Sequence, residues 1–375
     1  MMNLFDHIQK PTLLLDIDKA KANIHAMAAK ARRWGVTFRP HFKTHQSAQV
    51  GEWFRDEGVE AITVSSLEMA NYFSQHGWTD ITVAFPFNPR QMEGYNRLAQ
   101  QIKLGIVVEA DEMVDFLAAH AKAGMDVWVK VDVGSHRTGI AVDEVETVWS
   151  LIQRITAVKN LHLQGLLTHA GMTYRQSNTA AVVALNQQSV DGLNHLRDAL
   201  HLRGAPGLLI SVGDTPACSL CDPIGRVDEI RPGNFVFYDA MQLAHGVCAF
   251  EQVAVALVCP VVAKHADRNE VVIHGGDVHL SSEYYEQDGK RIFGMVSLPE
   301  GASWGKPLAE TFVTRLSQEH GIISASRQAF ERISAGDLVC VLPAHSCITV
   351  ASMRRYLTTT GDWIDALGYT PLREP

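Results

Sequence analysis

The chain has 375 residues, 46% of them hydrophobic and 20% charged, with a formal net charge of −8 and a pI near 6.1. That length exceeds one small core and implies a large domain plus a smaller one. The acidic balance argues against a broad nucleic-acid surface, and no run approaches 18 apolar residues, so neither a nucleic-acid partner nor a membrane span is expected. The start, Met1-Met2-Asn3-Leu4-Phe5-Asp6-His7, has no basic segment followed by an apolar one, so a cytoplasmic protein without a signal peptide is expected.

In chain order, residues 12–17 read as a strand that could join a later β domain, and residues 18–34 as an amphipathic helix begun by Asp18 and stopped by Gly35. Eight strand-like runs follow, at 36–39, 61–64, 81–84, 104–108, 127–132, 163–168, 208–212 and 229–231, the last leading into 235–238. Segments of helical period separate them, among them 67–76, 111–123, 143–158 and 177–203. Strand–helix alternation on this scale implies an α/β fold with a (β/α)8 TIM-type barrel. The rival, a doubly wound open sheet, lacks a G-x-G-x-x-G after its first strand. Beyond residue 250 the texture becomes β-rich, at 253–262, 270–274, 312–316 and 337–342. The expected division is a barrel over 12–245 and a smaller all-β domain over 246–375, its strands ending near Tyr356.

Polar residues gather at the C-terminal ends of the barrel strands, where such barrels place their chemistry. The first strand ends in Arg39-Pro40-His41-Phe42-Lys43-Thr44-His45. A lysine set among cations sheds its proton more readily, and a neutral lysine is a nucleophile and a base. The same run could equally be a solvated basic loop. The fifth strand leads to Arg137, and the sixth to Thr168-His169-Ala170-Gly171 with Tyr174 beyond. Each of those three side chains also has an ordinary structural reading. Ser211-Val212-Gly213-Asp214-Thr215-Pro216 ends the seventh strand with a glycine and a helix start, an anion-site pattern, or else a plain turn. Arg231-Pro232-Gly233-Asn234 ends the eighth. In the β domain, His345 and Cys347 are two apart, which on a strand aims both at one face and suits a zinc-like metal. A buried cysteine beside a stray histidine gives the same spacing. The six cysteines are expected as free thiols or ligands, and Cys218-Ser219-Leu220-Cys221 is a weak redox or zinc signal without a second pair.

These motifs, in this order, together with Phe235-Val236-Phe237-Tyr238-Asp239, resemble the D-serine dehydratase and D-threonine aldolase family, the metal-dependent branch of the alanine-racemase-like enzymes of pyridoxal 5'-phosphate. The resemblance runs from about Thr12 to Val350. It implies a cofactor-binding barrel, a β domain and a homodimer acting on a small D-amino acid. Lys43 would carry the cofactor and serve as the catalytic base. Arg137 would sit near the cofactor's phenolic oxygen, His169 would flank its ring, and Tyr174 would contact the pyridine nitrogen. Ser211, Gly213, Thr215, Gly233 and Asn234 would hold the phosphate. His345 and Cys347 would bind a divalent metal, the His-x-Cys form resembling the dehydratase side, where zinc is usual. The implied activity is dehydration and deamination of a D-3-hydroxy amino acid. Aldol cleavage, racemisation and a non-enzymatic cofactor carrier are the alternatives. One departure is His274-Gly275-Gly276-Asp277-Val278-His279, where many relatives carry an Asp-Ala-Gly-like turn.

Overall fold

The structure, a computed structural model, describes residues 4–370. The chain forms two compact units. One runs from His25 to Lys43 and from Gly51 to Gly233; the other takes the described residues through Ile24, Thr44–Val50, and those from Asn234 on. The units part at Asn234 rather than near residue 245, and the second reclaims the short segment after Lys43.

The elements begin with β1 (Thr12–Leu15), α1 (Ile17–Trp34), β2 (Thr37–Phe38), α2 (Ala48–Arg55), β3 (Ala61–Val64), α3 (Leu67–Gln75) and β4 (Asp80–Pro86). Next come α4 (Met92–Ala99), β5 (Lys103–Val108), α5 (Asp111–His120), β6 (Met125–Asp132), β7 (Ile140–Ala141) and α6 (Val145–Ala157). The run ends with β8 (Leu161–Leu167), α7 (Thr179–Leu202), β9 (Leu209–Val212), α8 (Thr215–Leu220) and β10 (Glu229–Ile230). The strands pair in parallel in the order β2-β10-β9-β8-β6-β5-β4-β3, with β7 beside β6. A parallel bridge from His41 to Thr63 brings the two ends together. Thr63 N donates to the Pro40 carbonyl at 2.9 Å, and Phe42 N to the Thr63 carbonyl at 2.8 Å. All eight expected strands are present and make a nearly closed barrel. Residues 235–238 do not extend the eighth; Asn234–Val236 is a 3-10 turn in the other unit.

The barrel interior carries a chain of ionic and hydrogen bonds. Arg39 Nε donates to Glu229 at 2.6 Å and its Nη1 to Asp80 at 2.5 Å. Ser211 Oγ donates to Glu229 at 2.6 Å and accepts from Arg231 Nε at 2.6 Å. Arg231 Nη2 donates to the Thr168 carbonyl at 2.5 Å. Arg39, Glu229, Ser211 and Arg231 are all buried. Buried charges persist only when paired and hydrogen-bonded, and each of these has its partner. Arg39 therefore belongs to the barrel core and not to a surface basic patch.

The other unit adds α9 (Ala240–Ala244), β11 (Val255–His265), β12 (Glu270–His274), α10 (Asp277–Leu280), β13 (Tyr285–Gln287), β14 (Lys290–Ile292) and β15 (Gly294–Ser297). It continues with β16 (Pro299–Glu300), β17 (Ser303–Trp304), β18 (Phe312–Leu316), β19 (His320–Ser324), α11 (Arg327–Arg332), β20 (Leu338–Pro343), α12 (Ser346–Met353), β21 (Arg355–Thr358) and β22 (Trp363–Asp365). Its main sheet runs β12-β19-β18-β15-β20-β11-β1-β21-β22, and β12 also pairs with β11, which closes six strands on themselves. β1 joins this sheet, antiparallel to β11 and parallel to β21. The sheet continues past Tyr356 through β22, beyond the expected end. The six cysteines are buried, and none forms a disulfide. Among the described residues no helix is long and apolar enough to cross a membrane.

Candidate active site

Lys43 lies in the turn after β2 and is half-buried. Phe42 fixes that turn. Its ring is fully buried, 4.9 Å from Phe54 and 5.0 Å from both Phe73 and Trp78. The Lys43 amide donates to His41 Nδ1 at 3.4 Å. An aromatic anchor of this size holds the backbone on either side of it, so the lysine projects from a rigid base.

The connection after β6 is shaped by Asp132. Its carboxylate accepts from the amides of Gly134, Ser135 and His136 at 3.0, 2.8 and 2.9 Å. Burial works to raise the Asp132 pKa, but these backbone donors hold it low. The folded turn presents Arg137 to solvent.

His169 follows β8. Its Nδ1 donates to the Gly213 carbonyl at 2.7 Å, which fixes the tautomer and leaves Nε2 as an acceptor. Burial first, then the charge of Lys43, lowers its pKa to about 3, and Arg137 and Arg231 push the same way. The leading charges that bear on this ring are thus positive, a setting complementary to an anion. The ring is expected to stay neutral on acidification to near pH 3. The unfolded chain takes up that proton near 6.5, so between these values it binds more protons and stability falls as pH drops. Nitrogen-15 chemical shifts of the ring test this, and protonation near pH 6.5 contradicts it.

Gly213 is required by close approach. A Cβ there would stand 2.6 Å from the Arg231 carbonyl carbon. At the helix start beyond it two amides already have partners. Thr215 N donates to Tyr174 Oη at 3.1 Å, and Asp214 caps Ala217 N at 2.8 Å. Tyr174 therefore reaches the Thr215 amide, on the side expected for the phosphate. Burial pushes the Asp214 carboxyl up to about 6, against hydrogen bonds from Thr173 and Ala217. Ser211 is not available as a phosphate ligand, because its hydroxyl is engaged by Glu229 and Arg231 inside the barrel.

In the β unit, β20 ends at Pro343, and His345 and Cys347 are not on a strand. His345 is the N-cap residue of α12 and Cys347 lies in its first turn. His345 Nδ1 is 3.3 Å from Asp239 Oδ2. Burial alone would lower the His345 pKa, but Cys347 and then Asp239 raise it well above the usual value. Thr44 Oγ1 lies 3.1 Å from Cys347 Sγ. Asn234, expected at the phosphate, turns its amide here: Nδ2 donates to Asp239 at 2.6 Å and to Ser346 at 2.9 Å, and lies 3.9 Å from Cys347 Sγ. Its Oδ1 is buried with no hydrogen-bond partner among the described residues. An imidazole, a thiol, a fully buried carboxylate and an orphaned amide oxygen in one place fit a soft divalent cation.

The sequence reading assigned no role to Asp239, which organises this cluster, or to Lys130, inside β6. Burial, then Arg231 and Arg137, pulls the Lys130 pKa down to about 8. Asp239 carried a signal: it is the lone carboxylate after the apolar run 235–238.

Residues 15–240 match the family described as alanine racemase, N-terminal domain, and residues 254–359 match one described as putative serine dehydratase domain. The chain is 29% identical over 364 residues to D-threo-3-hydroxyaspartate dehydratase of Delftia sp. (strain HT23), covering 95% of each. It is 27% identical over 386 residues to D-serine dehydratase of Dictyostelium discoideum, again covering 95% of each. The solved structure of the Delftia dehydratase superposes with a TM-score of 0.89 over 99% of this chain and 100% of that one, at 27% identity. A cysteine-to-alanine mutant of that dehydratase has been solved in a metal-free form. The chain therefore belongs to the alanine racemase N-terminal domain family, with a serine-dehydratase-type domain following the barrel.

Proposed function

We propose that this chain is a lyase, dependent on pyridoxal 5'-phosphate and a divalent metal, that dehydrates and deaminates D-3-hydroxy amino acids. The observation that carries the reading is the His345–Cys347 pair beside buried Asp239, in a chain whose barrel also carries Lys43. A racemase or a cofactor carrier has no use for a soft donor pair. The dehydratases of Delftia and Dictyostelium, similar along nearly the whole chain, support it.

Pyridoxal phosphate, when bound, supplies an electron sink that acidifies the α-carbon of an attached amino acid. Lys43 would carry it and, once substrate takes its place, accept the Cα proton on Nζ. The neutral His169 ring would lie against the cofactor, held by its bond to Gly213. Arg137 would meet an anionic oxygen. Gly213, Thr215 and Gly233 remain the phosphate residues on motif match, with Tyr174 at the Thr215 amide. His345 and Cys347 would hold the metal, for which their donors favour zinc, and it would supply a Lewis acid for the departing β-hydroxyl. Asp239 orients His345, and Thr44 and Asn234 flank the Cys347 sulfur. Loss of the Cα proton and the Cβ hydroxyl amounts to loss of water. Hydrolysis of the resulting imino acid takes one water back and releases ammonium and a 2-oxo acid.

Incubation with D-serine, D-threonine and D-3-hydroxyaspartate tests the reading. A 2-oxo acid and ammonium in equal amounts are expected from at least one. Glycine with an aldehyde, the L-enantiomer alone, or no product from any would overturn it.

A further inference from the structure

The departure at His274–His279 brings three metal-ligating side chains together at a place the proposed reaction does not use. His274 ends β12, Gly275 and Gly276 turn the chain, and His279 sits on α10. Glu319 lies in the turn joining β18 to β19. His274 Nε2 is 3.3 Å and His279 Nε2 3.7 Å from the same Glu319 oxygen. The two rings stand at 85°, centroids 5.5 Å apart. One donor atom from each residue lies within 4.8 Å of the other two.

Backbone packing holds the group in place. Gly275 N donates to the Glu319 carbonyl at 3.0 Å, and Asp277 N to the Ser317 carbonyl at 2.9 Å. A Cβ on Gly276 would meet the Ser317 oxygen at 2.2 Å, and one on Gly321 would meet the Gly275 oxygen at 2.6 Å. Only glycines let these two turns close on each other, so the two histidines reach Glu319 from a fixed frame. Bonds of 2.0–2.1 Å to a tetrahedral zinc place neighbouring donors about 3.3 Å apart. The two separations to Glu319 are already close to that, and the two histidine donors lie within 4.8 Å of each other. The side chains grade from His279, 16% exposed, through His274 at 39% to Glu319 at 51%, so the cluster has a protein side and a solvent side.

We propose that His274, His279 and Glu319 form a second divalent-cation site, taking a first-row transition cation such as zinc with water in the fourth position. Bound there, the cation fastens the turn after β12 to the β18–β19 turn. The site contains no sulfur, which separates it from the His345–Cys347 pair, and it stands or falls independently of the reaction.

The test is a titration of the whole chain, stripped of metal by dialysis against a chelator, with Co2+ alone. Wild type is expected to take up two equivalents. One brings an intense thiolate-to-cobalt absorption in the near ultraviolet, and the other brings only weak visible bands. Glu319→Gln, a change at an exposed position, is expected to weaken the second equivalent by at least about 10-fold and leave the thiolate band intact. His279→Asn is expected to do the same, and Cys347→Ala the converse. A single equivalent in wild type, accompanied by the thiolate band, overturns the proposal. So does a sulfur-free equivalent unmoved by Glu319→Gln and His279→Asn. If the sulfur-free equivalent binds and the thiolate band never appears, this site stands and the metal assignment of the proposed lyase fails.

Discussion

Lys43→Ala is expected to lose turnover on D-3-hydroxy amino acids by more than about 10⁴-fold, the upper range for removing a single general base, because the cofactor's attachment goes with it. The variant should also lose the visible absorption of the bound cofactor. Folding should survive: the side chain is half-buried, and the turn is held by Phe42 among Phe54, Phe73 and Trp78. A second readout separates this role from a structural one. The Lys43 charge is the largest electrostatic contribution depressing the His169 pKa, so its removal should move that pKa upward in cofactor-free protein. Lys43→Arg should preserve the depression and still be inactive, since a guanidinium neither carries the cofactor nor accepts a proton at neutral pH. Retained turnover and absorption in Lys43→Ala would remove the lysine from the mechanism.

The barrel was legible because its strands are largely buried and read as short apolar runs at regular spacing, most of them closed by polar residues. Val127, Val129 and Val131, or Leu166 and Leu167, could hardly be anything else. What periodicity cannot carry is the identity of a partner far along the chain. Ser211 has the look of a ligand at the end of a strand, yet Glu229 and Arg231 claim its hydroxyl. Asn234 follows a glycine as a phosphate residue would, yet its amide bonds to Asp239 and Ser346. His345 and Cys347 are recognisable by residue type, but their geometry is not that of neighbours on a strand. The pair comes together at the start of α12, not by alternation along β20. Asp239 is hard to single out in the sequence because a lone carboxylate after an apolar run looks like a surface residue, and only its buried contacts show otherwise.

Cys347→Ala is expected to lose the metal held through the thiolate and to cut dehydration by more than about 10²-fold, since even groups outside the ligand set cost 10- to 100-fold when removed from such sites. The cavity is small, and neighbours that lose a contact include polar ones: Thr44 Oγ1 at 3.1 Å and Asn234 Nδ2 at 3.9 Å. A water can satisfy both, so the fold should persist. His345 reports the change directly. Burial lowers its pKa and Cys347 is the largest influence raising it, so the alanine variant should titrate lower than wild type when both are metal-free. A group raised in the folded state stabilises it fully below its unfolded value and loses that contribution as pH rises through the folded one. The metal-free variant should therefore lack part of the stability that wild type sheds above pH 6.5. Cofactor absorption at Lys43 should remain, which separates loss of metal from loss of cofactor. The same number of metal equivalents in Cys347→Ala as in wild type, or full dehydration after exhaustive chelation of wild type, would strip the pair of its role and leave the barrel chemistry to account for the reaction alone.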